Sequence, residues 1–334
     1  MKIKRLKKND LKEFFKFLKL NFKKKHIFYK SKYLFDWQYF FNKKYNFYIL
    51  TIKNKIRSVQ GYITYTIYDD EIKKDSIFLS VWASSHVSAG SKIFYNLMKK
   101  VKYKLIVGLA SSDQSFAFQK LINFKCGFLD HFFLTSQKYS KKLILPPNFS
   151  NFKVNKDIIN YENLTVEEEI YNLNIKVFKY QIPKKTPKYL LNRYFKHPVY
   201  KYLIYRIKNS LKTEAIFVFR ICKYRNSSAI RIIDFIGPDS QFPNGKYLFN
   251  HLLKKYSAEY IDIYSYGIPK KFLLKSNLED VNKYRKQKLI IPNYFEPFIK
   301  KNIKLAYAFN NLKKTRNKIR FFKGDSDLDR PSKI

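Results

Sequence analysis

The sequence predicts an α/β protein of two tandem domains, each a mixed, mainly antiparallel sheet flanked by helices. The first observation behind this is an internal match. Gly90-Ser-Lys-Ile-Phe-Tyr-Asn-Leu-Met-Lys-Lys100 aligns without gaps on Gly245-Lys-Tyr-Leu-Phe-Asn-His-Leu-Leu-Lys-Lys255, at an offset of 155 positions in a chain of 334. Each stretch starts at a glycine, keeps an amphipathic helical spacing (Phe94 with Phe249, Leu97 with Leu252, Met98 with Leu253) and runs into a β-like segment, 104–109 or 259–264. The second observation is that the order of elements around each stretch repeats. The third is length: it allows about two domains, and an offset near half the chain is far from the roughly 20–50-residue period of a solenoid.

In chain order, Leu11, Phe14, Phe15 and Leu18 give residues 10–22 helical spacing, with Asn9 or Asp10 as the N-cap. An aromatic helix follows at about 33–40. Residues 47–53, 57–68 and 76–83 are β-branched and aromatic and read as strands, with Asp69-Asp70 as a turn between the last two. A helix from Ser91, a strand at 105–109, a helix at about 114–123 and a strand at 128–135 complete the first half. Pro146-Pro147-Asn148-Phe149-Ser150 reads as a linker, which sets the domains at 1–147 and 148–334. The second half repeats the order: helices near 166–178 and 188–195, strands at 201–207, 215–222 and 229–237, the helix from Gly245, a strand at 260–264, a short helix near 270–274, and a closing stretch at 289–298. Such sheets bury one face under helices.

The formal charge of +43 suggests a polyanion partner. The composition argues otherwise. There are 57 Lys but only 11 Arg, and nine Ala, with Asn, Ile, Phe and Tyr abundant. The enriched types have A/T-rich codons, so drift in base composition accounts for the lysines. They are also spread along both halves, while Arg, the residue suited to bidentate phosphate recognition, is scarce. Dedicated nucleic-acid binding is not expected; weak attraction to anionic membrane surfaces is. Cys126 and Cys222 have no metal-ligand spacing and no disulfide framework, so no metal site is expected. The start, Met1-Lys-Ile-Lys-Arg-Leu, lacks the apolar core of a signal peptide. No run of about 18 apolar residues exists to span a bilayer, and a cytoplasmic location follows as the expectation.

Several stretches carry a resemblance. Ile77-Phe-Leu-Ser-Val-Trp-Ala83, the loop and helix from Ser88-Ala-Gly90, Leu105-Ile-Val-Gly-Leu109 and Phe116-Ala-Phe-Gln-Lys-Leu-Ile-Asn-Phe-Lys-Cys-Gly-Phe128 resemble the GNAT acyltransferase superfamily. The whole chain resembles a double-GNAT arrangement of the kind seen in Fem-type aminoacyl transferases. Its second half, through Arg193-Tyr-Phe-Lys-His-Pro198, Ile232-Ile-Asp-Phe-Ile-Gly237, Ile291-Pro-Asn-Tyr-Phe-Glu-Pro297 and Gly324-Asp-Ser-Asp-Leu-Asp-Arg-Pro331, resembles GNAT-like proteins of bacterial surface-polysaccharide loci.

The resemblance implies an acyl-CoA donor, acetyl-CoA or another, whose pyrophosphate meets the amides at a helix N-terminus. It assigns cofactor-binding roles to Val81, Ala83, His86, Ala89, Gly90 and Ser91. The phosphate loop is degraded here: His86-Val-Ser-Ala-Gly-Ser91 keeps only Ala89 and Gly90 of the family pattern, and Gln241-Phe-Pro-Asn-Gly245 keeps one glycine. A structural reading, in which Gly90 and Gly245 merely permit a strand-to-helix turn, stands beside it. The family's acid, a Tyr on the helix after the fifth strand, is replaced by Phe118. His131, Asp113 and Asp130 are the other acid–base candidates in this half.

In Gly324-Asp-Ser-Asp-Leu-Asp-Arg-Pro331 carboxylates recur at every second position, and alternation would set Asp325, Asp327 and Asp329 on one face of an extended segment. Asp234 and Asp262 sit in apolar strands and need buried partners, for which Arg193, Arg220 and Arg231 are available. The candidate catalytic set is thus His131, Asp234, Asp325, Asp327 and Asp329. His197, Asn293, Glu296 and Arg330 are the candidate substrate-binding set. Together these readings describe an acyl-CoA-dependent N-acyltransferase acting on an amino sugar or related surface-glycan precursor. A Fem-like transferase using aminoacyl-tRNA and an inactive GNAT pair serving as a binding module remain open.

Overall fold

The structure is a computed structural model describing residues 1–22, 24–72, 76–101, 103–136, 142–144, 160–209, 212–311 and 318–331. The expected linker, 146–150, lies outside the described residues. Strand β1 (Lys2–Arg5) leads to helix α1 (Leu11–Asn21) and helix α2 (Lys32–Tyr39), whose N-cap Ser31 accepts from the Leu34 amide at 3.1 Å. Strands β2 (Phe47–Ile52), β3 (Lys55–Thr64) and β4 (Ser76–Ser84) follow, then α3 (Ala89–Lys100), β5 (Leu105–Leu109), α4 (Asp113–Leu121), β6 (Lys125–Phe128) and β7 (Asp130–Thr135). Next come β8 (Asn160–Leu164), the short helices α5 (Glu167–Tyr171) and α6 (Pro187–Leu190), and strands β9 (Tyr202–Asn209), β10 (Lys212–Tyr224) and β11 (Ser227–Ile236). Helix α7 (Gly245–Lys255), β12 (Tyr260–Tyr266), α8 (Lys270–Lys275), β13 (Glu279–Asp280), β14 (Ala306–Asn311) and β15 (Phe321–Phe322) complete the chain.

The strands form two large sheets. The first has the order β1-β2-β3-β4-β5-β14-β6, the second β8-β9-β10-β11-β12-β7-β13, with β15 beside β12. In each sheet four antiparallel strands precede a crossover to a parallel one: β4 with β5 around α3, and β11 with β12 around α7. The aligned helices beginning near Gly90 and Gly245 thus occupy the same topological place. Their apolar stripes explain why. Ile93, Phe94 and Leu97 are buried on α3, and Leu248, Phe249, Leu252 and Leu253 on α7, each packed on its sheet's apolar face.

One expectation fails. The expected strand 128–135 is divided: Phe128 ends β6, the outer strand of the first sheet, while β7 pairs antiparallel with β12 in the second, from Tyr260↔Thr135 to Ser265↔Asp130. The corresponding place beside β5 in the first sheet is filled by β14, pairing Leu109↔Tyr307 through Leu105↔Asn311. The compact units accordingly do not divide at 147/148. One comprises Met1–Cys126, Tyr307–Thr315 and Ser326–Ile334, the other Gly127–Ala306 and Arg316–Asp325. No strand is expected at 306–311 from the sequence, and hydropathy carries no information about which edge a strand such as 130–135 joins.

Two expected helices are also interrupted. Over 166–178 the α-helix ends at Tyr171 and a 3-10 stretch, Ile175–Tyr180, begins where Asn174 Oδ1 accepts from the Lys176 amide at 3.0 Å. Such side chains offer the backbone an alternative to the α ladder. Over 188–195 the four-residue α6 widens into a π-turn at Leu191–Phe195.

Candidate active site

In the first unit the ladder between the parallel strands β4 and β5 stops well short of the end of β4. β4 and β5 are paired only from Ser76↔Leu105 to Leu79↔Gly108, while β4 continues to Ser84 against β3. A register shift between Gln60 and Tyr62 sets Ser80 and Val81 opposite Gly61, a β-bulge that re-aims backbone groups. Beyond the ladder an exposed turn, 84–88, leads into α3. Ser84 Oγ donates to His86 O at 2.9 Å, Ser91 Oγ donates to Ser88 O at 2.9 Å, and Ser88 is left-handed at φ +64°. The first-turn amides of a helix have no carbonyl within the helix to bond, so α3 presents donors and the positive end of its dipole at this turn.

The sequence-predicted cofactor residues come together here. Val81 and Ala83 are buried on β4, His86 is on the exposed turn, and Ala89, Gly90 and Ser91 open α3. The reason given to Gly90 changes. It is helical, and a Cβ there would make ordinary contacts at 3.5 Å with Ser84 Cβ and Trp82 Nε1. The residue in a special backbone conformation is Ser88. Phe118 packs edge-on against Trp82 (5.3 Å) and Phe94 (5.3 Å), so the position at which the resemblance implies an acid is part of an aromatic wall.

Asp327 and Arg330 also belong to the first unit. They are ion-paired at 2.5 Å, and the Arg330 guanidinium lies 5.6 Å over the Phe28 ring, which meets Tyr39 edge-on at 5.5 Å. Burial drives the Tyr39 hydroxyl's pKa far up; Asp327 adds to this, while contacts with Ser80 and Gln38 and the charge of Arg330 oppose it. Asp329 is buried in the same unit. Asp325 is not: it lies in the second unit, fully buried, 3.0 Å from Lys185 Nζ. The expected single acidic face is therefore absent. Ser326 is left-handed at φ +61°, which breaks the extended alternation between Asp325 and Asp327.

The second unit holds the remaining candidates in two buried networks. In one, Lys185 Nζ donates to both oxygens of Asp234 at 2.6 Å and faces Asp325, and the Tyr194 hydroxyl donates to Asp234 Oδ2 at 2.7 Å. Burial and Asp325 push the Asp234 carboxyl up against the pull of Lys185, to about 6. In the other, Arg231 holds Asp262 through two 2.9 Å bonds, His131 Nε2 lies 3.1 Å from Asp262 Oδ2, and the His131 ring stacks on Tyr264 at 3.9 Å. Burial lowers the His131 pKa against the Asp262 hydrogen bond. For Asp262, burial by itself raises the pKa, but Arg231 and His131 outweigh it and hold the carboxyl well below its usual range.

Asn293 joins this second network: its carbonyl accepts from Arg231 at 2.7 Å and its side-chain oxygen from Lys323. His197 and Glu296 meet through Tyr200. His197 Nδ1 accepts from the Tyr200 amide at 2.9 Å, and Glu296 Oε2 accepts from the Tyr200 hydroxyl at 2.9 Å. Arg330, grouped with them from sequence, lies in the other unit.

No family model matches the sequence, and no curated protein does. Among solved structures, a GCN5-related N-acetyltransferase from Anabaena variabilis superposes with a TM-score of 0.56 at 11% identity, over 93% of this chain and 73% of that one. The two share a fold. A probable N-acyltransferase from Enterococcus faecalis (TM-score 0.49, 13% identity, 79% of this chain and 65% of that one) is more distant. So is an N-myristoyltransferase from Saccharomyces cerevisiae (0.45, 12%, 93% and 80%), and neither carries an argument.

Within this acetyltransferase-like fold, sequence reasoning missed Lys185 and Tyr39. Lys185 is fully buried, and its only trace in sequence is indirect: an acid in the apolar run of β11 demands a cation. Among the described residues no group of three or more His, Cys, Asp or Glu could hold a metal ion, and no helix is long and apolar enough to cross a membrane.

Proposed function

We propose that the protein transfers an acyl group from acyl-CoA to an amine at the opening of the first unit. The observation that carries this reading is the conjunction of a β4–β5 separation after Leu79 and Gly108, a bulge at Ser80–Val81 and a helix N-terminus at Ala89. The α3 amides take the pyrophosphate. The donor's acyl arm enters between β4 and β5, where strand amides past the last ladder pair stabilise the oxyanion that develops on the thioester carbonyl. The amine attacks that carbon; the C–N bond forms, the C–S bond breaks, and the proton lost by the amine ends on the departing thiolate, giving amide and free thiol. Asp327, Asp329 and Arg330 are the acceptor-side groups of this unit, and an acidic pair suits an ammonium-bearing acceptor. An amino sugar or related surface-glycan precursor is the acceptor class that the sequence resemblance supports.

The test uses charge. Ser91→Glu puts an acid in the first turn of α3, which stabilises a helix by about 0.3–1 kcal/mol but repels a pyrophosphate. Thermal stability should hold or rise slightly while acetyl-CoA affinity, measured by calorimetry, falls at least about tenfold, or roughly 1.4 kcal/mol. Unchanged affinity would remove the donor site from α3. Titration with aminoacyl-tRNA alongside separates the Fem-like reading, which needs no CoA site.

A further inference from the structure

Resting on that reading, we infer that each chain binds one acyl-CoA, in the first unit, because the equivalent opening of the second unit is filled by its own residues 320–325. β11 and β12 are paired only at Ile230↔Ile261, Arg231↔Asp262 and Ile232↔Ile263, and then separate as β4 and β5 do. The separation is occupied. β15 pairs with β12 at Ser265↔Phe322 and Tyr266↔Phe321, and the Gly324 amide donates to Ile233 O on β11 at 2.8 Å. One short segment thus bonds to both strands that bound the opening.

It is seated tightly. Phe321 and Phe322 are fully buried, Arg193 donates to Gly324 O at 3.0 Å, and a Cβ on Gly324 would lie 2.8 Å from Ile233 Cγ2 and 2.9 Å from Ile233 O. Asp325 closes the segment on Lys185, itself bound to Asp234 on β11. Admitting an acyl arm would require extracting this segment and breaking buried ion pairs.

An independent observation lies at the start of α7. Residues Asp239–Asn244 coil into a 3-10 helix that runs straight into α7, and the Gly245 amide donates to Phe242 O and Pro243 O. The exposed turn that precedes α3 has no counterpart there: Phe242 is fully buried, and Asp239 sets a carboxylate at this end, ion-paired with Arg320 at 2.5 Å and with Lys318. The Ala89 amide of α3 likewise donates, to His86 O at 3.2 Å, so what separates the two helix starts is the exposed turn before α3 against a buried Phe242 before α7. The second unit keeps the topology of a donor site, with its strand opening filled and its helix start covered.

Calorimetric titration of the full chain with acetyl-CoA, joined to hydrogen exchange at 319–325, tests this. The expected result is one equivalent per chain, a tenfold or greater loss of affinity in Ser91→Glu, less than twofold change in Lys246→Glu at the aligned position, and unchanged protection of the Gly324 amide in saturating ligand. Two equivalents, a Lys246→Glu loss matching that of Ser91→Glu, or ligand-induced exposure of Gly324 would overturn it. No binding at all would remove the acyl-CoA reading and this inference together, a result distinct from binding at the second unit.

Discussion

Replacing Lys185 by Met is expected to destabilise the protein by about 3–5 kcal/mol, the usual cost of removing one partner of a buried ion pair. Lys185 is fully buried among Asp234, Asp325 and the Phe322 ring, 5.3 Å from its ammonium. Without it two carboxylates face each other in an apolar interior, and one must take up a proton. The sign of the pH dependence follows. Asp234 already ionises at about 6 in the folded chain against 3.8 ordinarily, so the folded state binds more protons across that window. Its ionisation costs stability as pH rises from 3.8 to about 6, and the cost is fully present above. Lys185→Met raises that pKa further. Denaturant unfolding should therefore show the variant's deficit shrinking between pH 7.5 and 5; an equal deficit at both values would contradict the account. A second variant, with Lys185, Asp234 and Asp325 all made apolar, should recover much of the loss.

Arg231→Met should cost a similar ~3–5 kcal/mol, by the same argument of an uncompensated buried charge. The guanidinium satisfies more than Asp262: its Nη1 donates to Asn293 O at 2.7 Å and Nη2 to Pro292 O at 2.9 Å, so its loss leaves Asn293 O with only the longer Lys323 contact (3.4 Å) and Pro292 O with only the Tyr260 hydroxyl (3.2 Å). Here the pH dependence runs the other way. The Asp262 carboxyl is held below its ordinary 3.8, and its stabilising contribution is present above that pH and lost as pH falls below it. His131, held below 6.5, also favours the folded state less as pH drops through 6.5, since the unfolded chain takes up the proton first. The Arg231 variant should accordingly lose part of the native acid sensitivity below pH 4. An acid-unfolding curve parallel to that of the native chain would count against the network.

The repeated crossover was legible because its signals are local. A glycine, a helical stripe and a following apolar strand lie within about twenty residues in each copy, and the aligned pairs Phe94/Phe249 and Leu97/Leu252 are the buried positions of α3 and α7. The residues proposed for the donor side lie within the same local stretch, 81–91. What escaped was long-range. Nothing in the composition of Asp130–Thr135 or Ala306–Asn311 says which sheet each completes, since strand pairing is a tertiary choice. The acidic C-terminal segment does not form one face, because a single left-handed Ser326 divides it between a buried ion cluster and a turn in the other unit. Of the three arginines considered for the strand acids, Arg231 serves Asp262, while Asp234 takes a lysine about fifty residues upstream.

The crossed origin of β7 and β14 bears on how the chain is made. A nascent polypeptide that has emerged only through Leu109 can lay down β1 to β5, yet β5 then carries a bare edge until residues 306–311 leave the ribosome. Unsatisfied edges invite pairing with other chains, and closing a loop of some two hundred residues is slow relative to hairpin formation. Meanwhile the apolar β7 has been synthesised with its partner β12 still more than a hundred residues away. Vectorial synthesis thus offers this protein little chance to finish one half before the other begins. Expression at low temperature or with chaperones, and not the separate production of two halves, is the route by which the intact chain would be obtained.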